Sequence, residues 1–92
     1  MQSVLERNKD YQYILINEFL RKVKERGMSQ VEACADIKKK GGLISRQNLL
    51  NVMHGKFESI PFTYANIISN WCGYLGFVEL INSVQSRSLD NP

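Results

Sequence analysis

Glycines divide this chain into lengths that suit short helices and little else. Gly27, the pair Gly41-Gly42, Gly55 and Gly76 each follow a stretch in which apolar residues recur every three or four positions. That recurrence is the signature of a helix with one buried stripe, and glycine just past the stripe is the usual stop. A strand would need apolar and polar residues to alternate, and no stretch sustains that pattern. The chain is therefore confined to an all-α fold of about five short helices joined by short connections. Its 92 residues make one domain with a small but sufficient core. A hydrophobic content of 43% argues against disorder.

Residues 1–9 are polar and mixed in charge, and read either as a loose arm or as a preceding turn of helix. Asp10 is a plausible cap for a first helix over residues 11–26. Tyr13, Ile16, Phe19 or Leu20, and Val23 would form its buried stripe. Arg21, Lys22, Lys24 and Arg26 complement the negative end of its dipole. Ser29-Gln30-Val31-Glu32 is a capping box, with Met28 placed to staple against Ala33. The second helix carries Val31, Ala33, Cys34 and Ile37, and its small residues Ala33, Cys34 and Ala35 would admit a close neighbour. Lys38-Lys39-Lys40 ends it, and Gly41-Gly42 breaks it.

Residues 44–56 are the most informative stretch. Ser45 can cap a third helix, and Leu49, Val52 and Met53 would face a core. Arg46, Gln47, Asn48 and Asn51 fall on the other side. A generic surface helix carries Glu and Lys; Arg, Gln and Asn are the side chains able to make paired hydrogen bonds to base edges. After a connector over 57–62, Thr63 is expected to cap a fourth helix with Ile67, Ile68, Trp71, Cys72 and Leu75 on its apolar face. Gly73 would be a weak interior point of about 1 kcal/mol, and Gly76 the end. Phe77, Leu80, Ile81 and Val84 mark a fifth helix, and residues 85–92 are expected to fray. The organisation expected is an arm over 1–9, a DNA-binding domain over 10–86 and a tail over 87–92.

Charge is unevenly placed. Between Arg21 and Lys56 there are nine basic and three acidic residues, a local balance of +6, although the whole chain carries only +3. Basic charge gathered around one motif is the footprint of a polyanion partner, with a solvated surface as the bland alternative. Cys34 and Cys72 lack metal-ligand spacing and sit among apolar positions, as core thiols of a reducing, cytoplasmic compartment do. No signal peptide and no run long enough to span a bilayer is seen. No nucleophile–base pair, metal spacing or phosphate loop points to an enzyme, and no cofactor is expected. Gly41-Gly42 after three lysines suggests anion binding only weakly.

The stretch from Gln30 to Ile37 resembles the second helix of the lambda-repressor-like (Cro/CI, XRE-type) helix-turn-helix family. Ser45 to Lys56 resembles the recognition helix of that family with its Gly-Lys exit, and Leu75-Gly76-Phe77 is similar to the end of its fourth helix. The resemblance spans about residues 11–84. It implies a sequence-specific regulator of double-stranded DNA, a repressor or switch protein. Arg46, Gln47 and Asn51 would read bases in the major groove. Gln30 at the start of helix two, with Asn48 and Lys56, would hold the phosphate backbone. Lys38, Lys39 and Lys40 are not family positions and are phosphate candidates on charge alone. One departure stands out. The connection from helix two to helix three is about five residues longer than the family pattern, with Gly41 as the new stop.

Several residues carry two readings. The lysine triplet is either a phosphate contact or a solvated helix end. Trp71 fits packing better than base stacking, Tyr11 and Tyr13 fit either, and Leu50 leans to the core over a thymine methyl. His54 has no catalytic partner nearby in sequence. Phe77, Val78, Ile81 and Val84 are the expected homodimer surface, since two-fold dimers read two half-sites; closing the core is the other use of that helix. The rival to DNA binding is a protein-interaction module on the same fold, an antagonist or antitoxin-like partner.

Overall fold

Capping residues and packing faces together set where each helix begins and ends. The computed structural model describes residues 9–56 and 59–90, and among them finds five helices and no strand. These are α1 (Lys9–Glu25), α2 (Gln30–Lys39), α3 (Arg46–Met53), α4 (Phe62–Cys72) and α5 (Phe77–Asp90). The expected all-α, five-helix architecture is therefore what forms. Helix α1 packs on α3, α4 and α5, while α2 packs on α3 and α4, and α4 on α5. The centre is built from Leu15 and Phe19 of α1, Cys34 and Ile37 of α2, Leu49 and Val52 of α3, Ile68 of α4, and Phe77 and Leu80 of α5. Phe19 meets Trp71 edge-to-face at 5.4 Å between ring centres.

The capping box of α2 is present as expected. Ser29 Oγ accepts from the Glu32 amide, and the Glu32 carboxylate accepts from the Ser29 amide. The second helix ends where the lysines and glycines implied: Lys40 is its C-cap, and Gly41 takes the left-handed conformation. The connection to α3 is 40–45.

Seven expectations are corrected. Tyr13 is 59% exposed and Leu15 is buried in its stead, while Ile16, Phe19 and Val23 are buried as expected. Asp10 lies inside the first turn of α1 rather than capping it. Thr63 is likewise inside α4, whose N-cap is Pro61. Gly73 is not an interior weak point but the left-handed end of α4, with φ 105°. Leu75 therefore falls outside that helix and is 90% exposed, and Gly76 leads into α5. Finally, α5 does not stop near residue 85 but continues to Asp90, through the expected boundary at 86. The expected arm, 1–9, lies outside the described residues except for Lys9, which is helical.

Two polar groups hold the connections in place. Gln12 on α1 is buried, and its Oε1 accepts from the Ile60 amide at 3.2 Å. This ties the α3–α4 connection down, with Ile60 in the core. Glu18, also buried, is bonded to Arg21 of its own helix, to the Tyr74 hydroxyl beyond α4, and to Arg87 of α5. Ser69 is fully buried, and its hydroxyl has no partner among the described residues.

Candidate nucleic-acid interface

Helix α3 is only eight residues long. A helix of that length is not stable alone in water, so its shape comes from its caps and its underside. Ser45 Oγ accepts from the Asn48 amide at 3.1 Å. At the other end Gly55 is left-handed, and the Gly55 and Lys56 amides donate to the carbonyls of Val52 and Asn51. Leu49, Val52 and Met53 are buried against the core. Fixing those three positions turns Arg46 and Gln47 to solvent and leaves Asn51 half-exposed.

The outward residues are arranged as follows. Gln47 Nε2 donates to Asn51 Oδ1 at 3.1 Å, one turn along the helix. Asn48 Nδ2 donates to the Tyr64 hydroxyl at 2.9 Å, so this expected phosphate ligand also braces α3 against α4. Leu50 is half-buried and packs on the core, the side to which it leaned. His54 is exposed at the C-cap of α3. Lys56, at the exit of that helix, is exposed as well.

The first turn of α3 contains no acidic residue and begins with Arg46. A cation there opposes the positive end of the helix dipole, an arrangement folding alone does not favour.

The second helix brings Gln30 to its first, exposed position. Lys38 and Lys39 are exposed at its far end, from which the chain leads directly to α3. Lys40 differs, since its ammonium pairs with Asp36 at 3.0 Å. The pair Gly41-Gly42 is not an anion loop: the two amides donate to the carbonyls of Lys38 and Ile37 and so close α2. A Cβ on Gly42 would lie 2.6 Å from Ile37 Cγ2 and 3.0 Å from Ile67 Cγ2, so glycine is what lets this connection lie against α4.

Part of the basic charge proves to be internal scaffolding. Arg21 grips Glu18 through two nitrogens at 2.9 Å and Glu25 through a third. Arg26 lies 4.3 Å above the Trp71 ring and donates to the Trp71 carbonyl. Trp71 is buried, and its indole N–H donates to Asp36 at 2.7 Å, which settles it as packing. That bond, ahead of Lys40, holds the Asp36 carboxyl below its usual range. The basic residues left on the α2–α3 side are Lys38, Lys39, Arg46 and Lys56. Sequence reasoning missed the roles of Arg26, Asp36 and Tyr64, because their partners lie 45, 35 and 16 residues away.

The expected dimer surface is corrected in part. Phe77 and Ile81 are 2% and 3% exposed, filling this chain's own core, and Val84 is half-buried against it. Only Val78 of that set is exposed, beside Leu75 and Phe62 along a shallow groove.

Both thiols are free and buried, and burial pushes Cys72 up to about 12. Among the described residues no group of acids, thiols and histidines could hold a metal, and no helix is long and apolar enough to cross a membrane. No protein-family model, curated protein or solved structure matches this chain at a significant level.

Proposed function

We propose that this chain is a sequence-specific double-stranded DNA-binding regulator of the lambda-repressor-like helix-turn-helix type. The observation that carries the reading is the outward row Arg46, Gln47 and Asn51 on a helix whose opposite face is locked into the core. In this reading α3 enters the major groove, and Arg46, Gln47 and Asn51 meet base edges. Gln30, Lys38, Lys39 and Lys56 meet phosphates, with smaller parts for Lys40 and Asn48, which already have partners within the protein. Regulation would act by occupancy of an operator, blocking or recruiting polymerase in the cytoplasm of a bacterial or mobile-element host. Two copies would read two half-sites. Leu75 and Val78 are the apolar surface left near α5 for that contact.

Selection of bound duplexes from a random pool tests binding, half-site symmetry and spacing together. Arg46→Ala or Gln47→Ala should then lose about 1–3 kcal/mol on the selected site and relax the preference at one position. Lys38→Gln or Lys39→Gln should weaken all duplexes alike and flatten the salt dependence. Equal behaviour of the two classes would overturn the assigned roles.

The exposed Leu75 and Val78, bordering a groove with Phe62, favour one second reading: a module that binds another protein there. Failure to shift any duplex at low salt would select it.

A further inference from the structure

Among the described residues, most polar clusters are satisfied from within. All three guanidinium nitrogens of Arg21 bond to carboxylates, Lys40 pairs with Asp36, and the amides of Gly41 and Gly42 close α2. The Gln47–Asn51 couple differs in facing outward with hydrogen-bonding capacity left over. We infer that these two side chains read DNA as a single unit, in which Asn51 holds Gln47 in register to recognise one adenine. This rests on the DNA-binding reading above and names part of the sequence that reading requires.

A carboxamide offers two N–H donors and one carbonyl acceptor. The bond from Gln47 Nε2 to Asn51 Oδ1 uses one donor of Gln47 and one lone pair of Asn51. When the N–H anti to the Gln47 carbonyl is the one given to Asn51, Gln47 keeps its other N–H beside its carbonyl oxygen on one amide edge. That edge is complementary to adenine in the major groove, where N7 accepts and the N6 amino group donates. Guanine presents two acceptors and would leave the Gln47 carbonyl facing another carbonyl. Asn51 keeps both its N–H donors, which suit an acceptor edge, guanine O6 and N7 or thymine O4, on a nearby base pair. The two amides meet at 3.1 Å, close to the rise of about 3.4 Å between stacked bases, so together they suit neighbouring base pairs.

The couple also solves an entropic problem. Glutamine is among the side chains that lose most rotamer freedom when fixed, and Gln47 is exposed. A bond already made in the free protein orients its amide before DNA arrives, which is preorganisation. Asn48, the neighbour that could compete for either amide, donates its own amide to Tyr64 instead.

The test uses the full chain and a duplex selected from a random pool. Affinity is measured for the wild type, Gln47→Ala, Asn51→Ala and the double variant. Each is also measured on the same duplex carrying 7-deazaadenine at each adenine in turn, which deletes the N7 acceptor while keeping the base pair. Circular dichroism confirms the helix content of each variant. The wild type should lose affinity at one adenine, Gln47→Ala should be indifferent there, and Asn51→Ala should have lost most of its sensitivity there. The double variant should fall short of the product of the single losses by about threefold or more. Multiplicative losses, or full sensitivity retained in Asn51→Ala, would show two separate readers and overturn the inference while leaving DNA binding intact. No adenine sensitivity in the wild type would overturn it equally. No duplex bound at low salt would overturn both this and the reading on which it rests.

Discussion

Arg46 stands where a helix least favours a cation. It opens α3 with no acid in the first turn to offset it, and a charge opposing the dipole costs about 0.3–1 kcal/mol. Local rules are broken where something other than folding decides the residue. The proposed contact with DNA supplies that reason, and it separates function from stability. Arg46→Ala should hold or raise the thermal midpoint, since alanine is the better helix former, while weakening binding to the selected duplex. Paired melting and binding curves read both; a variant that lost stability and binding together would make Arg46 a structural residue. Gln47 and Asn51 likewise add nothing to the core, whereas Asn48, with Tyr64, joins two helices.

Among the elements, α4 shows how a single glycine changes meaning with its backbone angle. Counted as a helical position, Gly73 is a defect; at φ 105° it is the stop that releases Tyr74 toward α1 and leaves Leu75 outside. An L-residue held there is strained by about 1–2 kcal/mol, although its Cβ would meet no neighbouring atom within 4 Å. Gly73→Ala should therefore lower the thermal midpoint by several degrees. Gly42→Ala should also destabilise, through collision with Ile37 and Ile67 rather than through backbone strain. Differential scanning calorimetry measures both. An unchanged midpoint for Gly73→Ala would mean that α4 ends elsewhere in solution.

At the scale of the molecule, Glu18 joins α1 to Tyr74 and to Arg87 of α5. The Arg21 fork, then the Tyr74 hydroxyl and Arg87, hold its carboxyl down at about 2, against the desolvation of burial that would raise it. An acid whose folded value lies below its ordinary 4.5 contributes stability above that pH and loses it as pH falls toward 2. Thermal melts over that window should show a steep acid loss in the wild type and a shallower one in Glu18→Gln. Asp36 and Glu32, both lowered by hydrogen bonds, keep some acid dependence in the variant. Identical slopes would show that Glu18 is not paired when folded. Such a clamp matters to the proposed interface because α1 also packs on α3, so fixing α1 fixes the platform under Arg46, Gln47 and Asn51.

By itself the sequence determined the helical class, the capping box at Ser29, the stops at Gly27, Gly41 and Gly55, and the two faces of α3. Each of these follows from residues three or four apart, the range over which helix geometry acts. Tertiary structure decided what those rules leave open. Periodicity put Tyr13 on the buried stripe of α1, although the assembled core takes Leu15 instead. It marked Phe77 and Ile81 as apolar without saying whether they cover this chain's core or a second copy, and the closing of α5 on α1 and α4 took them inward. The links of Glu18 to Tyr74 and Arg87, Trp71 to Asp36 and Asn48 to Tyr64 join side chains far apart in the chain. No local pattern encodes such pairs; only the folded backbone brings their atoms within reach.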